Sequence, residues 1–248
     1  MRHAALVLVL AVLAGCGGGG GEERLTVSAA SSLKRPFAAY GEGYPGAEVR
    51  LAFGGSDELA AQIRQGVRPD VFAAANRKLP EQLFAAGLVE KPRVFAGNRL
   101  VLAVPAGATG VSSLADLTEP GVRVAAGAPG VPVGAYTREV LARLPARQRR
   151  AIEANIRSSE PDVGGVVAKL TQGAVDAGFV YVTDVAAAGD RLRAIPLPRS
   201  LTPRVAYAVA VVEGARRPAA ARAFVDGLLR GRGAVALRAA GFEPPPGR

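Results

Sequence analysis

The chain is poor in the residues on which most enzyme chemistry depends. Its 248 residues include one Cys, one His and no Trp. A single Cys excludes a disulfide framework, and one Cys with one His is too few for a zinc site. The His is His3, inside an N-terminal segment expected to be removed. The mature protein then has no imidazole for a Ser-His-Asp or Cys-His mechanism. Lys is scarce as well: Lys34, Lys78, Lys91 and Lys169 are the four among 31 basic residues, and the formal charge is +10. The Arg are scattered, apart from Arg147–Arg149–Arg150 and Arg216–Arg217, and aromatics make up 5%. Single-stranded nucleic acid is bound where basic and aromatic residues interleave, and no such stretch exists here. The charge therefore reads as a solvated basic surface. Neither a G-x-x-x-x-G-K-[ST] loop nor a G-x-S-x-G elbow occurs, which removes nucleotide hydrolysis and the common serine-hydrolase arrangement.

What is present is a globular core. Hydrophobic residues are 49% and charged residues 21%, and a chain of this length buries roughly 70–75% of its extended surface on folding. Met1-Arg2-His3 is a short positive start, and Ala4 to Ala14 is an unbroken apolar run. About eleven apolar residues are too few to cross a bilayer as a helix, which needs roughly 20, but they suit the apolar region of an export signal. Leu13-Ala14-Gly15-Cys16 follows and resembles a bacterial lipobox. In that reading residues 1–16 are a lipoprotein leader with Cys16 as the lipid attachment point. Residues 17–24, mostly glycine, form a tether. The protein is then exported and held at the outer face of the cytoplasmic membrane.

Beyond the tether, short apolar runs alternate with helical periodicity. Strands are expected at 24–28, 49–53, 69–73, 100–104, 122–126, 177–182, 192–196 and 205–212. The intervening segments carry apolar residues at helical spacing, such as Leu33, Phe37 and Tyr40, or Leu59 and Ile63. A helix carrying Ile152 and Ile156 is expected, and Asp162 is placed to cap the helix after it. Alternation at this spacing predicts an α/β chain with mostly parallel sheet and helices on both faces, plausible as two lobes. Ser32, Ser56 and the Pro132–Tyr136 segment all fall where a strand ends and a helix begins. In open α/β sheets that is the ligand edge, and helix N-termini offer unpaired N–H groups and partial positive charge. Taken singly, each serine is equally an ordinary helix cap, as Ser32 is expected to be for the helix after it. Taken together, they point to a small anion.

Seven blocks carry a family resemblance. Leu25-Thr26-Val27-Ser28-Ala29-Ala30-Ser31-Ser32-Leu33 looks like the opening of the periplasmic molybdate-binding proteins of ABC transporters. Phe53-Gly54-Gly55-Ser56, Pro69-Asp70-Val71-Phe72, Asn98-Arg99-Leu100-Val101-Leu102 and Val131-Pro132-Val133-Gly134-Ala135-Tyr136 continue it in order. Glu160-Pro161-Asp162-Val163, Phe179-Val180-Tyr181-Val182-Thr183-Asp184 and Tyr207-Ala208-Val209-Ala210-Val211-Val212 complete it. The resemblance implies a two-lobed periplasmic-binding-protein fold of type II. Residues 25–103 and 205–248 would form one lobe and residues 104–204 the other, with hinges near Leu102–Pro105 and Pro203–Tyr207. It implies a tetrahedral oxyanion, molybdate or tungstate, held by the hydroxyls and N–H groups of Ser32 and Ser56, the N–H groups of Val133 and Val163, and the phenol of Tyr181. The metal would be held through its oxygens alone, with no cofactor. The partners would be a membrane permease and its ATPase, and the chain itself a monomer. Two positions depart from the family pattern: Gly54-Gly55-Ser56-Asp57 stands where a serine-rich stretch is common, and Val133 where a small residue is common. Asp57 beside an anion is expected to point outward, Asp184 to cap a helix, and Tyr207 and Phe53 to be core or cleft wall.

The donor chemistry is consistent with that list. A fully deprotonated oxyanion presents only acceptors, so N–H and O–H donors suffice without Lys or Arg. Sulfate makes the same demand at smaller size, so a binding protein for sulfate or another small oxyanion is the alternative. An exported serine hydrolase is a remote one. It would need an activating base: no His is available, Lys34 sits two residues from Ser32, and residues two apart on a helix do not face each other. A lipoprotein used for adhesion or scaffolding is a third class, for which a polar cleft has no use.

Overall fold

The computed structural model describes residues 24–246; the expected leader, Cys16 and the glycine tether lie outside them. The described chain folds into two five-stranded sheets with helices packed on them. The first sheet has the order β2-β1-β3-β10-β4, from β1 (Arg24–Ala30), β2 (Glu48–Gly54), β3 (Val71–Ala74), β4 (Arg93–Asn98) and β10 (Val205–Val211). The second has the order β7-β6-β8-β5-β9, from β5 (Leu100–Pro105), β6 (Val124–Gly127), β7 (Ile156–Glu160), β8 (Ala177–Tyr181) and β9 (Leu192–Pro196). β1 runs parallel to β2 and β3, while β10 is antiparallel to β3 and β4. In the second sheet β6 is parallel to β7 and β8, and β5 is antiparallel to β8 and β9. The sheets are thus mixed and not mostly parallel. Each takes in a strand from across the molecule, and such a strand need not follow the right-handed parallel crossover that sets the others.

The chain passes between the sheets twice. The first passage is at Arg99, between β4 and β5, and not at Leu102–Pro105. All six residues of β5 pair within the second sheet, so residues 100–103 go with that lobe. The second passage spans the residues between β9 and β10. Two strands escape the sequence pattern. β4 ends in Gly-Asn, which reads as a turn. β7, Ile-Arg-Ser-Ser-Glu, is a half-polar edge strand that forms only because β6 lies beside it. Ile156 opens that strand and does not belong to the preceding helix α5 (Ala146–Asn155).

Apolar packing is continuous from lobe to lobe. A file of aromatic rings runs Phe224, Phe37, Phe95, Tyr207, Tyr181, Tyr136, with neighbouring centroids 5.8, 6.1, 6.2, 5.8 and 6.5 Å apart. Such tilted and edge-on pairs are the favoured ring geometries. Tyr207 is therefore a core residue, fully buried. Asp70, from the third family block, is structural: its carboxylate accepts from the Thr26 N–H and hydroxyl at 2.8 and 2.7 Å and from the Arg217 N–H at 3.1 Å.

Candidate anion-binding site

Four element starts converge where the lobes meet. After β1 the chain enters a 3-10 turn, Ser31–Leu33, before helix α1 (Lys34–Gly41). After β2, Gly55 caps α2 (Ser56–Arg64). In the other lobe, Val131 leads into α4 (Pro132–Ala142) and Asp162 into α6 (Val163–Thr171). The first N–H groups of a helix have no carbonyl within it to bond, and they carry the positive end of the helix dipole. Pro132 has no N–H to leave unpaired, so the first-turn donors of α4 are those of Val133 and Gly134. In α6 the Asp162 carboxylate accepts from the Gly165 N–H at 3.0 Å, as expected of a cap, leaving Val163 and Gly164 as donors.

Between these starts lies a cavity lined by Ser31, Ser56, Val133, Asp162, Val163 and Tyr181, with Gly54, Gly55 and Ala75 among the remaining wall residues. The space is small, about 10 Å³ open to the centre of a water-sized sphere. No Lys or Arg is among the lining residues. The lobes are drawn close around it. A Cβ on Gly55 would stand 2.5 Å from the carbonyl oxygen of Pro161, and one on Gly164 would stand 3.9 Å from Cβ of Ser31. A larger hollow of about 520 Å³ lies along Gly41–Val49, with Tyr44 and Glu48 in its lining and none of the helix-start residues above.

The structure brings Ser56, Val133, Val163 and Tyr181 to this one cavity, and treats each side chain differently. Ser56 is buried, and its Oγ accepts from the Ala75 N–H at 3.2 Å. A hydroxyl that accepts there keeps its own O–H to donate. Tyr181 closes β8, and its hydroxyl is buried with no hydrogen-bond partner among the described residues. Burial, with Tyr207 and Tyr136 nearby, holds its pKa well above the usual phenol value, so it remains a donor. Val133 and Val163 contribute N–H groups, and their apolar side chains are buried.

Ser32 departs from expectation. Its Oγ meets the hydroxyl of Tyr207 at 2.9 Å, and Ser31 takes the place on the cavity wall. Ser32 does not cap α1 either, because a 3-10 turn precedes that helix and Leu33 is its cap residue. Asp57 does not point outward. Its Oδ1 is buried without a partner among the described residues, and its Oδ2 faces Gly130 of the opposite lobe, where a Cβ would come within 2.8 Å. Asp184 does serve the start of the next helix: its carboxylate accepts from the Tyr181 N–H at 2.9 Å. Burial, with Asp162 adding to it, pushes its pKa up to about 7.

Asn98 is a residue that pattern reading missed. Buried at the end of β4, it donates to the Thr183 hydroxyl at 2.9 Å and to the Tyr207 hydroxyl at 3.4 Å, and so ties the two lobes beside the first passage. Its place in the Asn98-Arg99 block was the available signal. Among the described residues no cluster of His, Cys, Asp or Glu could hold a metal ion directly, and no helix is long and apolar enough to cross a membrane. Chemically, the cavity presents N–H and O–H donors from both lobes to a compact object that accepts on every side.

Comparison with known proteins agrees with that character. Residues 25–243 match the family model described as bacterial extracellular solute-binding protein. The molybdate-binding protein ModA of Mycobacterium tuberculosis H37Rv is 36% identical over 235 residues, covering 92% of this chain and 88% of the relative. That of Escherichia coli K12 is 29% identical over 233 residues, covering 89% of each. Among solved structures, the substrate-binding domain of a putative molybdenum ABC transporter from Clostridium difficile is similar at a TM-score of 0.67 and 28% identity, covering 91% of this chain and 100% of that one. The periplasmic molybdate-binding protein of Azotobacter vinelandii shares the fold at a TM-score of 0.78 and 23% identity, covering 90% and 100%.

Proposed function

Because the chain belongs to the bacterial extracellular solute-binding proteins, a family of exported binding proteins and not of enzymes, we propose that it captures molybdate and hands it to an ABC permease. The observation that carries this reading is the convergence of helix N-termini from both lobes with the unpartnered Tyr181 hydroxyl, on a wall without cationic side chains. A dianion with four acceptor oxygens satisfies such donors, and charge-assisted bonds of this kind contribute roughly 1.5–3 kcal/mol each. The ligand set is Ser56, Val133, Val163 and Tyr181, joined by the N–H groups of the 3-10 turn at Ser31 and Ser32. The anion would first settle on one lobe, and hinge closure would bring the donors of the other. Tungstate, of the same charge and shape, would be bound as well. Cys16 would carry the lipid that keeps the protein beside its permease.

The test is a thermal melt of the protein with molybdate, tungstate, sulfate and phosphate at equal concentration. A ligand at about 100 times its Kd adds roughly 2.7 kcal/mol, which raises Tm by some 5–10 °C in a chain of this size. Shifts with molybdate and tungstate alone are expected. A shift with sulfate alone would keep the binding mechanism and replace the ligand, and no shift with any of the four would overturn the reading.

A further inference from the structure

Two side-chain atoms are buried with no hydrogen-bond partner among the described residues: the Tyr181 hydroxyl oxygen and Oδ1 of Asp57. The first is a donor that faces the cavity. The second is a carboxylate oxygen, which in its charged form can only accept, and its surroundings supply another acceptor. A Cβ on Gly55 would lie 3.0 Å from this Oδ1 and 2.5 Å from the carbonyl oxygen of Pro161. The two oxygens therefore crowd the same glycine from opposite lobes. Oδ2 is turned to Gly130, also across the seam. Asp57 is thus a half-buried carboxylate where the lobes meet, with Oδ1 buried, one residue from the Ser56 donor.

The geometry points to Asp57 as the residue that opposes closure and so sets how readily the bound anion leaves. This inference rests on the anion-binding reading. With the lobes apart, water covers the carboxylate. Bringing them together strips water from Oδ1, leaves it without a donor at a seam that the Pro161 carbonyl also enters, and places a negative charge beside the seat of a dianion. All three effects favour the open form, since a buried acceptor without a donor is costly and like charges repel. Glu58 provides an internal control. It shares the first turn of α2, and with it the helix dipole, but it is exposed and accepts a hydrogen bond from Gln62 within its own helix.

The experiment compares molybdate affinity and dissociation rate for the wild type, Asp57→Asn, Asp57→Ala and Glu58→Gln, together with the Tm of each protein without ligand. Asparagine keeps the shape, removes the charge and can donate as well as accept. Asp57→Asn should bind about five- to tenfold tighter, chiefly through slower dissociation. Asp57→Ala should move in the same direction, and Glu58→Gln should bind as the wild type does. The unliganded Tm of the Asp57 variants should not rise, because α2 loses a favourable acidic residue from its first turn. Asp57 variants that bind no tighter and release no more slowly than a wild type that itself binds molybdate would overturn the inference alone. A wild type that binds no oxyanion would overturn the functional reading, and the inference with it.

Discussion

Removing one oxygen atom, by Tyr181→Phe, separates binding from stability at the cleft. The hydroxyl is buried and has no partner among the described residues, so its loss breaks no bond within the protein. The ring keeps its edge-on contacts with Tyr136 and Tyr207 at 6.5 and 5.8 Å. An unsatisfied buried polar group costs about 1–3 kcal/mol, and a chain of this size shifts by about 2–4 °C per kcal/mol. The unliganded Tm of the variant should therefore hold or rise by a few degrees. On the proposed reading the same hydroxyl would donate to an anionic oxygen in the complex, and losing about 1.5–3 kcal/mol there would raise Kd by roughly 10- to 150-fold. The loss should be constant between pH 6 and pH 8, because burial keeps the phenol protonated far above that range. Isothermal titration calorimetry with molybdate, paired with melts of the free protein, reads both quantities. A Phe variant that binds as the wild type does would refute the assignment of Tyr181 as a ligand. One that loses free-protein stability would refute the account of an unpaired hydroxyl.

Gly55→Ala tests closure from the other side. The Gly55 backbone, at φ −61° and ψ 130°, suits any residue, but its new Cβ would meet the Pro161 carbonyl at 2.5 Å. Overpacking costs about 1–3 kcal/mol, and here it falls chiefly on the closed form, since the Asp57 carboxylate of the same lobe can swing aside and the Pro161 carbonyl cannot. Molybdate affinity should drop by roughly 5- to 150-fold while unliganded stability changes by less than about 1 kcal/mol; equal losses in both would refute it. Asp184→Asn tests the buried carboxyl. Its pKa of about 7 in the folded protein lies above the unfolded value of about 3.9, so the folded state binds the extra proton between those values. Its contribution is fully present below about pH 4, declines as pH rises, and is lost above about pH 7. The Tm difference between Asn variant and wild type should move in favour of the variant from pH 5 to pH 8, and an unchanged difference would refute the burial argument.

Much of the site was legible because its donors are local features. Ser56, Val133 and Val163 each follow a strand and open a helix, and Gly55, Pro132 and Asp162 mark those openings in the sequence itself. The α/β class follows for the same reason, since strand and helix periodicity are written within a few residues. Asp162 as a cap and Asp184 as a helix-start partner were readable on this basis too.

What stayed hidden depends on partners distant along the chain. Ser32 lies 175 positions from Tyr207, whose hydroxyl it meets. Only the 3-10 turn at Ser31–Leu33, with three residues per turn, presents Ser31 to the cavity and turns the Ser32 hydroxyl to Tyr207. β7 is too polar to be a strand without β6 beside it, and the passage at Arg99 is defined by which sheet β5 joins. The burial of Asp57 Oδ1 depends on the opposite lobe, because the seam where it lies exists only once Pro161 is brought against Gly55. The sequence by itself therefore determined the donors, since a helix start leaves its N–H groups unpaired wherever it occurs. Only the tertiary structure decided which of its neighbours line the cavity, because closing two lobes on each other is what gives a side chain its far partner.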